Sequence, residues 1–249
     1  MISLSGKKAL VTGGSRGIGR AAALMLARAG ADVGITYHSR QDAALAVVQE
    51  IGGLGRKAYA GGGDLADPAT ASRLVDECHS ALGGLDIFVG NAGIWLSEEV
   101  PLEKMKPAQW RQTLGANLES IFASTGAALR RMTSGSVVLV SSTAGQRGEA
   151  FHSDYAASKG AIISLTKSLC IECAPRINVN CVAPGWVLTE MSATAYGDGG
   201  EQRITASIPL NRIATAEDIA GPILFLCSDL ARHLTGEILN VNGGSVLCG

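Results

Sequence analysis

Strand-like and helix-like segments alternate along almost the whole chain, and this alternation constrains the fold more than any other feature. Apolar runs such as KALVTG (residues 8–13) and SVVLVSS (residues 136–142) are each followed by a helical pattern. The runs are continuously apolar rather than alternating, which is typical of strands covered on both faces. Repeated strand–helix–strand units predict an α/β fold with a parallel sheet and helices on both of its faces.

About seven strands are predicted, at residues 8–13, 31–37, 57–65, 85–93, 136–142, 177–185 and 237–244. Asp67 as N-cap, Pro68 in the first turn and Gly83 at the exit delimit one helix, and a long helical region is predicted over Pro107–Met132. The weakly periodic, glycine-rich stretch MSATAYGDGGEQRITASIP predicts a mobile lid at about residues 189–209. No linker or repeat divides the chain, so residues 1–249 are predicted to form a single domain.

Charge and hydropathy argue against several classes of partner. The formal net charge of −1 gives no electrostatic reason to expect nucleic acid or an anionic membrane. No apolar run approaches the ~20 residues of a spanning helix, and the first residues lack the layout of a signal peptide. A cytoplasmic protein is therefore expected. The four histidines are not clustered, and no metal site is predicted.

The cysteines are too sparse for a disulfide scaffold, and most lie in apolar segments. They are Cys78, Cys170, Cys173, Cys181, Cys227 and Cys248. Buried free thiols in a reducing compartment are the predicted state. The stretch CIEC has redox spacing, but it lies late in a helix, where the helix dipole does not lower a thiol pKa.

A glycine-rich turn, TGGSRGIGR, joins the first predicted strand to the first predicted helix. Ligands of parallel sheets bind at the carboxyl ends of strands, and the free N–H groups of a helix N-terminus suit a pyrophosphate. Gly13, Gly14, Gly17 and Gly19 would allow close approach of the backbone to such a ligand. The spacing G-x-x-x-G-x-G differs from the usual G-x-G-x-x-G. A dinucleotide-binding loop is favoured, with a ligand-free turn as the alternative.

The end of the second strand bears on the choice of nucleotide. NAD sites usually place a carboxylate there to hold the ribose 2′-hydroxyl. The sequence instead reads ITYHSRQD, with no carboxylate before Asp42. Arg16 in the glycine loop and Arg40 after the strand could flank a 2′-phosphate, although either could be a solvated surface charge. NADP(H) is therefore the predicted cofactor.

These features together resemble the short-chain dehydrogenase/reductase family over nearly the whole chain. TGGSRGIG matches its T-G-x3-G-x-G motif, NAG (residues 91–93) its fourth-strand motif, and YAASK its Y-x3-K motif. PGWVLT (residues 184–189) and GDL (residues 63–65) match two further cofactor-side segments. Each motif alone is weak, but their order and spacing make the resemblance specific. It implies a single-domain, Rossmann-type doubly wound sheet.

The resemblance also implies roles for individual residues. The implied catalytic residues are Asn117, Ser142, Tyr155 and Lys159. Tyr155 and Lys159 are also expected to bind the cofactor, together with Gly13, Ser15, Arg16, Gly17, Ile18, Gly19, His38, Ser39, Arg40, Asp64, Leu65, Asn91, Ala92, Gly93, Pro184, Gly185, Val187 and Thr189. By the same resemblance, Ser142 would hold a carbonyl oxygen, Asn117 would anchor a water in a proton relay, and Lys159 would bond the nicotinamide ribose.

Tyr155 and Lys159 lie four residues apart in a predicted helix, and therefore on one face. A phenol with a pKa of about 10 is a reluctant acid at neutral pH. A nearby ammonium should lower that pKa, so Tyr155 is the predicted general acid of a carbonyl reduction. A solvated surface pair is the alternative, which the glycine loop, Ser142 and Asn117 disfavour.

Within the family, the chain most resembles the 3-oxoacyl-[acyl-carrier-protein] reductases, in TGGSRGIGR, YAASKGAIISLTKSL, NVNCVAPG and TGEILNVNGG. This implies NADPH-dependent reduction of a 3-oxoacyl thioester, with an acyl carrier protein as a candidate partner. Arg130, Arg131 and Arg176 are candidate docking residues. The turn TSGS lacks the basic residues common in those enzymes, and Asn242 stands where VDGG is common, so this substrate is the less specific part of the resemblance.

Two other functions remain open. One is a reductase of small ketones, sugars or polyols on the same scaffold; the other is a non-catalytic dinucleotide-binding regulator, which the intact catalytic residues disfavour. Loops expected to line the pocket carry the candidate substrate contacts Trp95, Phe151, His152 and Trp186. The Tyr155–Cys173 helix is apolar on more than one face. The family pairs this helix across a two-fold axis, so a homotetramer is predicted.

Overall fold

Seven apolar strands pair side by side in one parallel sheet within residues 2–248, the part of the chain that the computed structural model describes. The strands are β1 (Lys8–Val11), β2 (Asp32–Tyr37), β3 (Ala58–Gly62), β4 (Ile87–Gly90), β5 (Gly135–Val140), β6 (Ile177–Pro184) and β7 (Ile238–Val241). Their order is 3-2-1-4-5-6-7. The order reverses between β1 and β4, and such a point is where ligands of open α/β sheets bind.

The connecting helices cover both faces of this sheet. They are α1 (Gly17–Arg28), α2 (Gln41–Gly53), α3 (Pro68–Leu82), α4 (Pro107–Leu114), α5 (Ser120–Arg131), α6 (Thr143–Arg147), α7 (Ser153–Cys173), α8 (Gly200–Ala206) and α9 (Ala216–Leu226). Successive strand side chains enter two separate cores. Val11 packs in the core shared by α1, α2 and α9, whereas Leu10 packs in the core shared by α3, α5 and α7. The predicted coverage on both faces is confirmed.

The helix-end signals read from the sequence hold for α3. The Asp67 carboxylate accepts a hydrogen bond from the Thr70 N–H at 2.9 Å, Pro68 opens the helix, and Gly83 ends it with φ +79°. The same chemistry explains why α3 keeps the predicted limits: an acceptor satisfies a free N–H at its start, and glycine tolerates the left-handed conformation at its end.

Other expectations need correction. The helical region predicted over Pro107–Met132 is present, but a π-helical turn that was not predicted, Gly115–Glu119, separates α4 from α5. The short helix α6 was not predicted, and the lid region contains a 3₁₀ turn, Ala193–Tyr196, followed by α8. Several predicted strands extend too far, because their last polar and glycine residues leave the sheet at its carboxyl edge.

All six cysteines are free thiols, and five of them are buried as predicted. Cys248 is exposed beyond β7, where no helix covers the chain, so the prediction of burial was wrong for that residue. Across residues 2–248, no helix combines the length and the apolarity that crossing a membrane requires.

Candidate active site

Two cavities adjoin along the carboxyl edge of the sheet. The large cavity, of about 610 Å³, lies over the ends of β1 to β4, and the small cavity, of about 140 Å³, lies over the ends of β4 to β6. Their common wall residues are Ile18, Asn91, Gly93, Ile94, Thr189 and Met191. The chain therefore offers a long groove with an open end and a narrow end.

The glycine loop is folded tightly against the end of β4. Gly13 has φ +64°, and a Cβ placed on it would lie 3.1 Å from the Ala92 Cα. A Cβ on Gly19 would collide with the Gly13 carbonyl oxygen. Gly19 therefore lies beneath the loop and permits its fold, whereas Gly13 forms part of the cavity wall. Only backbone atoms can approach a ligand this closely.

Most of the predicted cofactor-binding residues line the large cavity. They are Gly13, Ser15, Arg16, Gly17, Ile18, His38, Ser39, Arg40, Asp64, Leu65, Asn91, Ala92, Gly93 and Thr189. Three further predicted residues, Pro184, Gly185 and Val187, line the small cavity instead. Sequence reasoning missed Arg111 and Gln112 on α4, which also face the large cavity and belong to no motif.

Thr12 is a second residue that the sequence analysis did not assign. Its hydroxyl accepts hydrogen bonds from the N–H groups of Asn91 and Ala92, at 2.9 and 3.0 Å. The Asn91 side-chain amide returns a bond to the Thr12 carbonyl at 2.9 Å. These bonds fasten the loop after β4 to the loop after β1. The signal was present in the sequence as the threonine that opens the glycine motif.

Arg16 and Arg40, the two arginines predicted to flank a 2′-phosphate, converge on one carboxylate. An Nη atom of Arg16 lies 2.9 Å from an oxygen of Glu190, and an Nη atom of Arg40 lies 3.7 Å from the same oxygen. Glu190 follows Thr189 in the loop after β6, and all three side chains line the large cavity. No sequence pattern indicated this contact, because its members come from three separate loops.

Three of the four predicted catalytic residues meet in the small cavity. Ser142, Tyr155 and Lys159 all line its wall. The Lys159 ammonium donates a hydrogen bond to the Val140 carbonyl at 2.9 Å, and its nitrogen lies 5.8 Å from the centre of the Tyr155 ring. The Ser142 hydroxyl caps α6 by accepting from the Ala144 N–H. The structure thus brings a hydroxyl, a phenol and an ammonium together at the narrow end of the groove.

The expected direction of the Tyr155 pKa was wrong. Burial raises the pKa of Tyr155 to about 12, an effect that outweighs the hydrogen bond with Ser142, and the Glu149 carboxylate raises it further. Burial also lowers the pKa of Lys159 to about 8. Desolvation penalises the charged form of each group, and it is the largest cause of both shifts. The phenol therefore keeps its proton at neutral pH.

Asn117 is fully buried and does not belong to the wall of either cavity. Its amide oxygen accepts from the Ile94 N–H at 2.6 Å, and its amide nitrogen donates to the Ile94 carbonyl at 2.9 Å and to the Ser158 hydroxyl at 3.1 Å. The π-helical turn places it there. In this structure Asn117 holds the loop after β4 against α7, so it positions one wall of the small cavity.

The four candidate substrate contacts are split. Trp95 and Trp186 line the small cavity and meet edge to face at 6.0 Å. His152 is buried behind them and stacks on Trp95 at 5.0 Å, so it supports that ring. Phe151 has a left-handed φ of +65° and is half exposed, and neither cavity wall includes it among the described residues.

Polar residues of the small cavity were also missed. Arg147, the last residue of α6, and Glu149, in the loop between α6 and α7, both line it. Burial raises the pKa of the Glu149 carboxyl, and the neighbouring His152 and Arg147 oppose this. Asp154 is buried at the start of α7, where its carboxylate accepts from the Thr113 hydroxyl at 2.7 Å and so joins α7 to α4. Among residues 2–248, no cluster of three side chains could hold a metal ion.

Comparison with known proteins gives consistent matches along the chain. A family model described as enoyl-(acyl carrier protein) reductase matches residues 13–245. A 3-oxoacyl-[acyl-carrier-protein] reductase of Staphylococcus aureus is 39% identical over 242 residues, covering 96% of this chain and 97% of its own.

Solved structures agree with these matches. A short-chain dehydrogenase of Burkholderia cenocepacia, in complex with NADP, superposes with a TM-score of 0.92 at 39% identity, over 97% of this chain and 98% of its own. A short-chain dehydrogenase/reductase of Brucella melitensis, described as a glucose/ribitol dehydrogenase, superposes with a TM-score of 0.93 at 31% identity, over 99% of each chain. The similarity therefore extends over nearly the whole chain.

Proposed function

Because the chain belongs to the short-chain dehydrogenase/reductase family, we propose that it is an NADPH-dependent carbonyl reductase with Tyr155 as its general acid. The family places it among oxidoreductases that act on CH–OH and C=O groups. One observation carries the proposal: Ser142, Tyr155 and Lys159 share one small cavity, which has wall residues in common with the cavity lined by the glycine loop. A reacting carbonyl and a dinucleotide would meet at that junction.

The residues of the large cavity fit NADP(H). A Cβ on Gly13 would lie 3.1 Å from the Ala92 Cα, and the φ of +64° disfavours a side chain there, so this part of the cavity wall is backbone, as suits a pyrophosphate. Arg16 in the glycine loop and Arg40 after β2 supply two guanidinium groups to this cavity, and no carboxylate directly follows β2 in the position typical of an NAD site. The Burkholderia structure with NADP supports the same choice.

Bound NADPH would supply the hydride that adds to the carbonyl carbon. The chain's own residues would then bind the carbonyl oxygen and supply the proton. The Ser142 hydroxyl donates a hydrogen bond to the carbonyl oxygen, and Tyr155 transfers its phenolic proton to that oxygen as negative charge develops. The phenolate left behind faces the Lys159 ammonium, which stabilises it until a proton returns from solvent. The raised pKa of Tyr155 keeps the proton available for the first step.

We propose a 3-oxoacyl thioester as the substrate class and an acyl carrier protein as its carrier. Support comes from the relatives, which are named for this reaction, and from the aromatic wall formed by Trp95 and Trp186. Of the three arginines proposed to dock the carrier protein, Arg131 is about half exposed and already pairs with Asp76 at 2.7 Å.

A second candidate, reduction of small polar ketones, is favoured by one observation. The carboxyl of Glu149 and the guanidinium of Arg147 line the small cavity beside Tyr155. Hydroxyl groups of a compact sugar or polyol could bond both, whereas an acyl chain would offer neither group a hydrogen-bond partner.

The proposed function is tested by following NADPH oxidation with acetoacetyl thioesters and with small polyhydroxylated ketones. We expect turnover with the thioester, and a loss of about 10²- to 10⁴-fold in kcat for Tyr155→Phe, with NADPH affinity unchanged. Tyr59→Phe is the matched control. Tyr59 on β3 donates its hydroxyl hydrogen bond to Glu77 on α3, and neither residue lines a cavity. Undiminished turnover in Tyr155→Phe would exclude the assigned acid, and turnover confined to polyhydroxylated ketones would favour the second candidate.

We also propose a cytoplasmic homotetramer. Phe122 on α5 and Ile171 on α7 are 67% and 77% exposed, so both helices present large apolar side chains to the outside. Light scattering should give four times the mass of the chain. A stable monomer at micromolar concentration would contradict this assembly.

A further inference from the structure

A carboxylate lies where the proposed function would put an anionic group of the cofactor. Glu190 receives Arg16 at 2.9 Å and Arg40 at 3.7 Å on a single oxygen atom. Arg16 is the residue at the N-terminal boundary of α1, and Arg40 is the residue at that of α2. Arg40 also lies 3.9 Å from the Asp42 carboxylate, which is 82% exposed. Two guanidinium groups therefore converge on the Glu190 carboxylate, an arrangement suited to a ligand with more negative charge than a carboxylate has.

The contact is one that a ligand can exchange. All three side chains are about half exposed, at 53% for Arg16, 49% for Arg40 and 60% for Glu190. Exposed ion pairs of this kind change an equilibrium constant by up to about fivefold. A phosphate monoester carries up to two charges and accepts bidentate guanidinium bonds, so it competes well for the same arginines.

We propose that Glu190 is a built-in competitor for the 2′-phosphate of NADP(H), and that it sets how strongly the chain prefers NADP(H) over NAD(H). This inference rests on the proposed use of Arg16 and Arg40 for that phosphate. Binding of NADP(H) must displace the Glu190 carboxylate from both guanidinium groups. NAD(H) has a free 2′-hydroxyl and leaves the contact in place.

The position of Glu190 links this exchange to the substrate side. The next residues, Met191 and Ser192, line the small cavity, and Tyr196 packs edge to face on Trp186 at 6.1 Å. Its phenol also donates to the Val187 carbonyl at 2.7 Å. Release of Glu190 therefore frees the first residue of a segment that carries part of the substrate wall.

The test measures Kd for NADPH and for NADH on the wild-type protein and on Glu190→Gln, by nucleotide fluorescence. We expect NADPH to bind about three- to fivefold more tightly to the variant, and NADH to change by less than about twofold. Glu201→Gln is the matched control, because it removes the same charge from the same segment outside both cavities. An unchanged NADPH affinity, or equal shifts for the two nucleotides, overturns the inference.

Two arginine variants separate this inference from the proposed function. Arg16→Gln and Arg40→Gln should each weaken NADPH binding by about tenfold and NADH binding much less. If neither weakens NADPH binding, the cofactor assignment itself fails. If they do weaken it while Glu190→Gln has no effect, only the competitor role of Glu190 fails.

A second measurement, hydrogen exchange, first compares the two proteins without nucleotide and then with NADPH. Hydrogen exchange over residues 191–196 should be faster in Glu190→Gln than in the wild type, since the anchoring contact is gone. Added NADPH should abolish that difference, because the carboxylate is then displaced in both proteins. Equal exchange in the two nucleotide-free proteins would contradict the link to the substrate wall.

Discussion

The two ends of the groove hold their charged groups in opposite ways. In the large cavity, Arg16, Arg40 and Glu190 are about half exposed, and they meet across loops from three strands. In the small cavity, Lys159 is only 4% exposed, and it is fixed by a hydrogen bond to the backbone of β5. One end can exchange partners at little energetic cost, while the other holds a charge where solvent cannot compensate it.

Exposed and buried charges suit different tasks, the binding of a cofactor and the transfer of a proton. Exposed ion pairs contribute little to stability, so a ligand phosphate can replace a carboxylate there. Buried titratable groups have shifted pKa values, and such groups cluster at functional sites. The structure places the exchangeable charges where a cofactor would enter, and the shifted pKa values where a proton must move.

The largest expected effect tests whether the small cavity acts through its fixed polar groups. Ser142→Ala should lower kcat by about 10²-fold, close to 3 kcal/mol of transition-state stabilisation, because the hydroxyl would bond the carbonyl oxygen most strongly as charge develops. NADPH affinity should not change. Steady-state kinetics and a fluorescence titration measure the two quantities.

Ser124→Ala is the control for that change. The Ser124 hydroxyl is buried and donates a hydrogen bond to the Ser120 carbonyl within its own helix, away from both cavities. Its removal should leave kcat unaltered. A similar loss of kcat in both variants would mean that the small cavity is sensitive to packing rather than to the Ser142 hydroxyl.

Replacing Lys159 tests whether this buried charge lowers stability while it supports activity. The depressed pKa of Lys159 means that the folded state holds this charge at a cost of order 3 kcal/mol at pH 7, and losing the bond to Val140 takes back about 1 kcal/mol. Lys159→Met should therefore raise the free energy of unfolding by about 2 kcal/mol at pH 7 while reducing turnover.

The sign of that gain depends on pH in a defined way. The unfolded chain holds the Lys159 proton up to about pH 10.5 and the folded chain only to about pH 8, so the penalty in the wild type fades as the pH rises through that window. The stability difference between Lys159→Met and the wild type should shrink accordingly. Urea unfolding at pH 7 and pH 10 measures it, and a destabilised variant at pH 7 would contradict the charge-burial argument.

The fold could be predicted well because its signals are local. Continuous apolar strands, the glycine loop and the Asp67 cap each require only neighbouring residues. Candidate catalytic residues could be proposed by motif resemblance, and three of them, Ser142, Tyr155 and Lys159, line one cavity. The pKa of Tyr155 and the Arg16–Glu190–Arg40 contact could not be predicted, because burial and loop convergence arise only once the chain is folded. The π-helical turn at Asn117 was not predicted either.

The pH dependence of kcat/KM tests whether the charge of buried Lys159 controls the reaction proposed for the small cavity. Lys159 should lose its charge at a pH of about 8, well below the pKa of about 12 for Tyr155. The kcat/KM for reduction should therefore fall to about half near pH 8 and to about a tenth near pH 9, from the loss of phenolate stabilisation. A profile that stays flat to pH 10, in protein shown to be folded by circular dichroism, would exclude this role for Lys159.

The smallest expected effect tests whether location, rather than charge alone, distinguishes the exposed ion pairs. Arg20 on α1 binds Glu50 on α2 through both carboxylate oxygens, at 2.6 and 2.9 Å, and the two side chains are 42% and 43% exposed. This pair resembles the Arg16–Glu190 contact in exposure but lies outside both cavity walls. Glu50→Gln should change the free energy of unfolding by at most about 1 kcal/mol and leave NADPH affinity unaltered. If Glu50→Gln tightened NADPH binding as much as Glu190→Gln, removal of any nearby negative charge would suffice. The proposal that Glu190 in particular is placed to exchange with a phosphate would then fail.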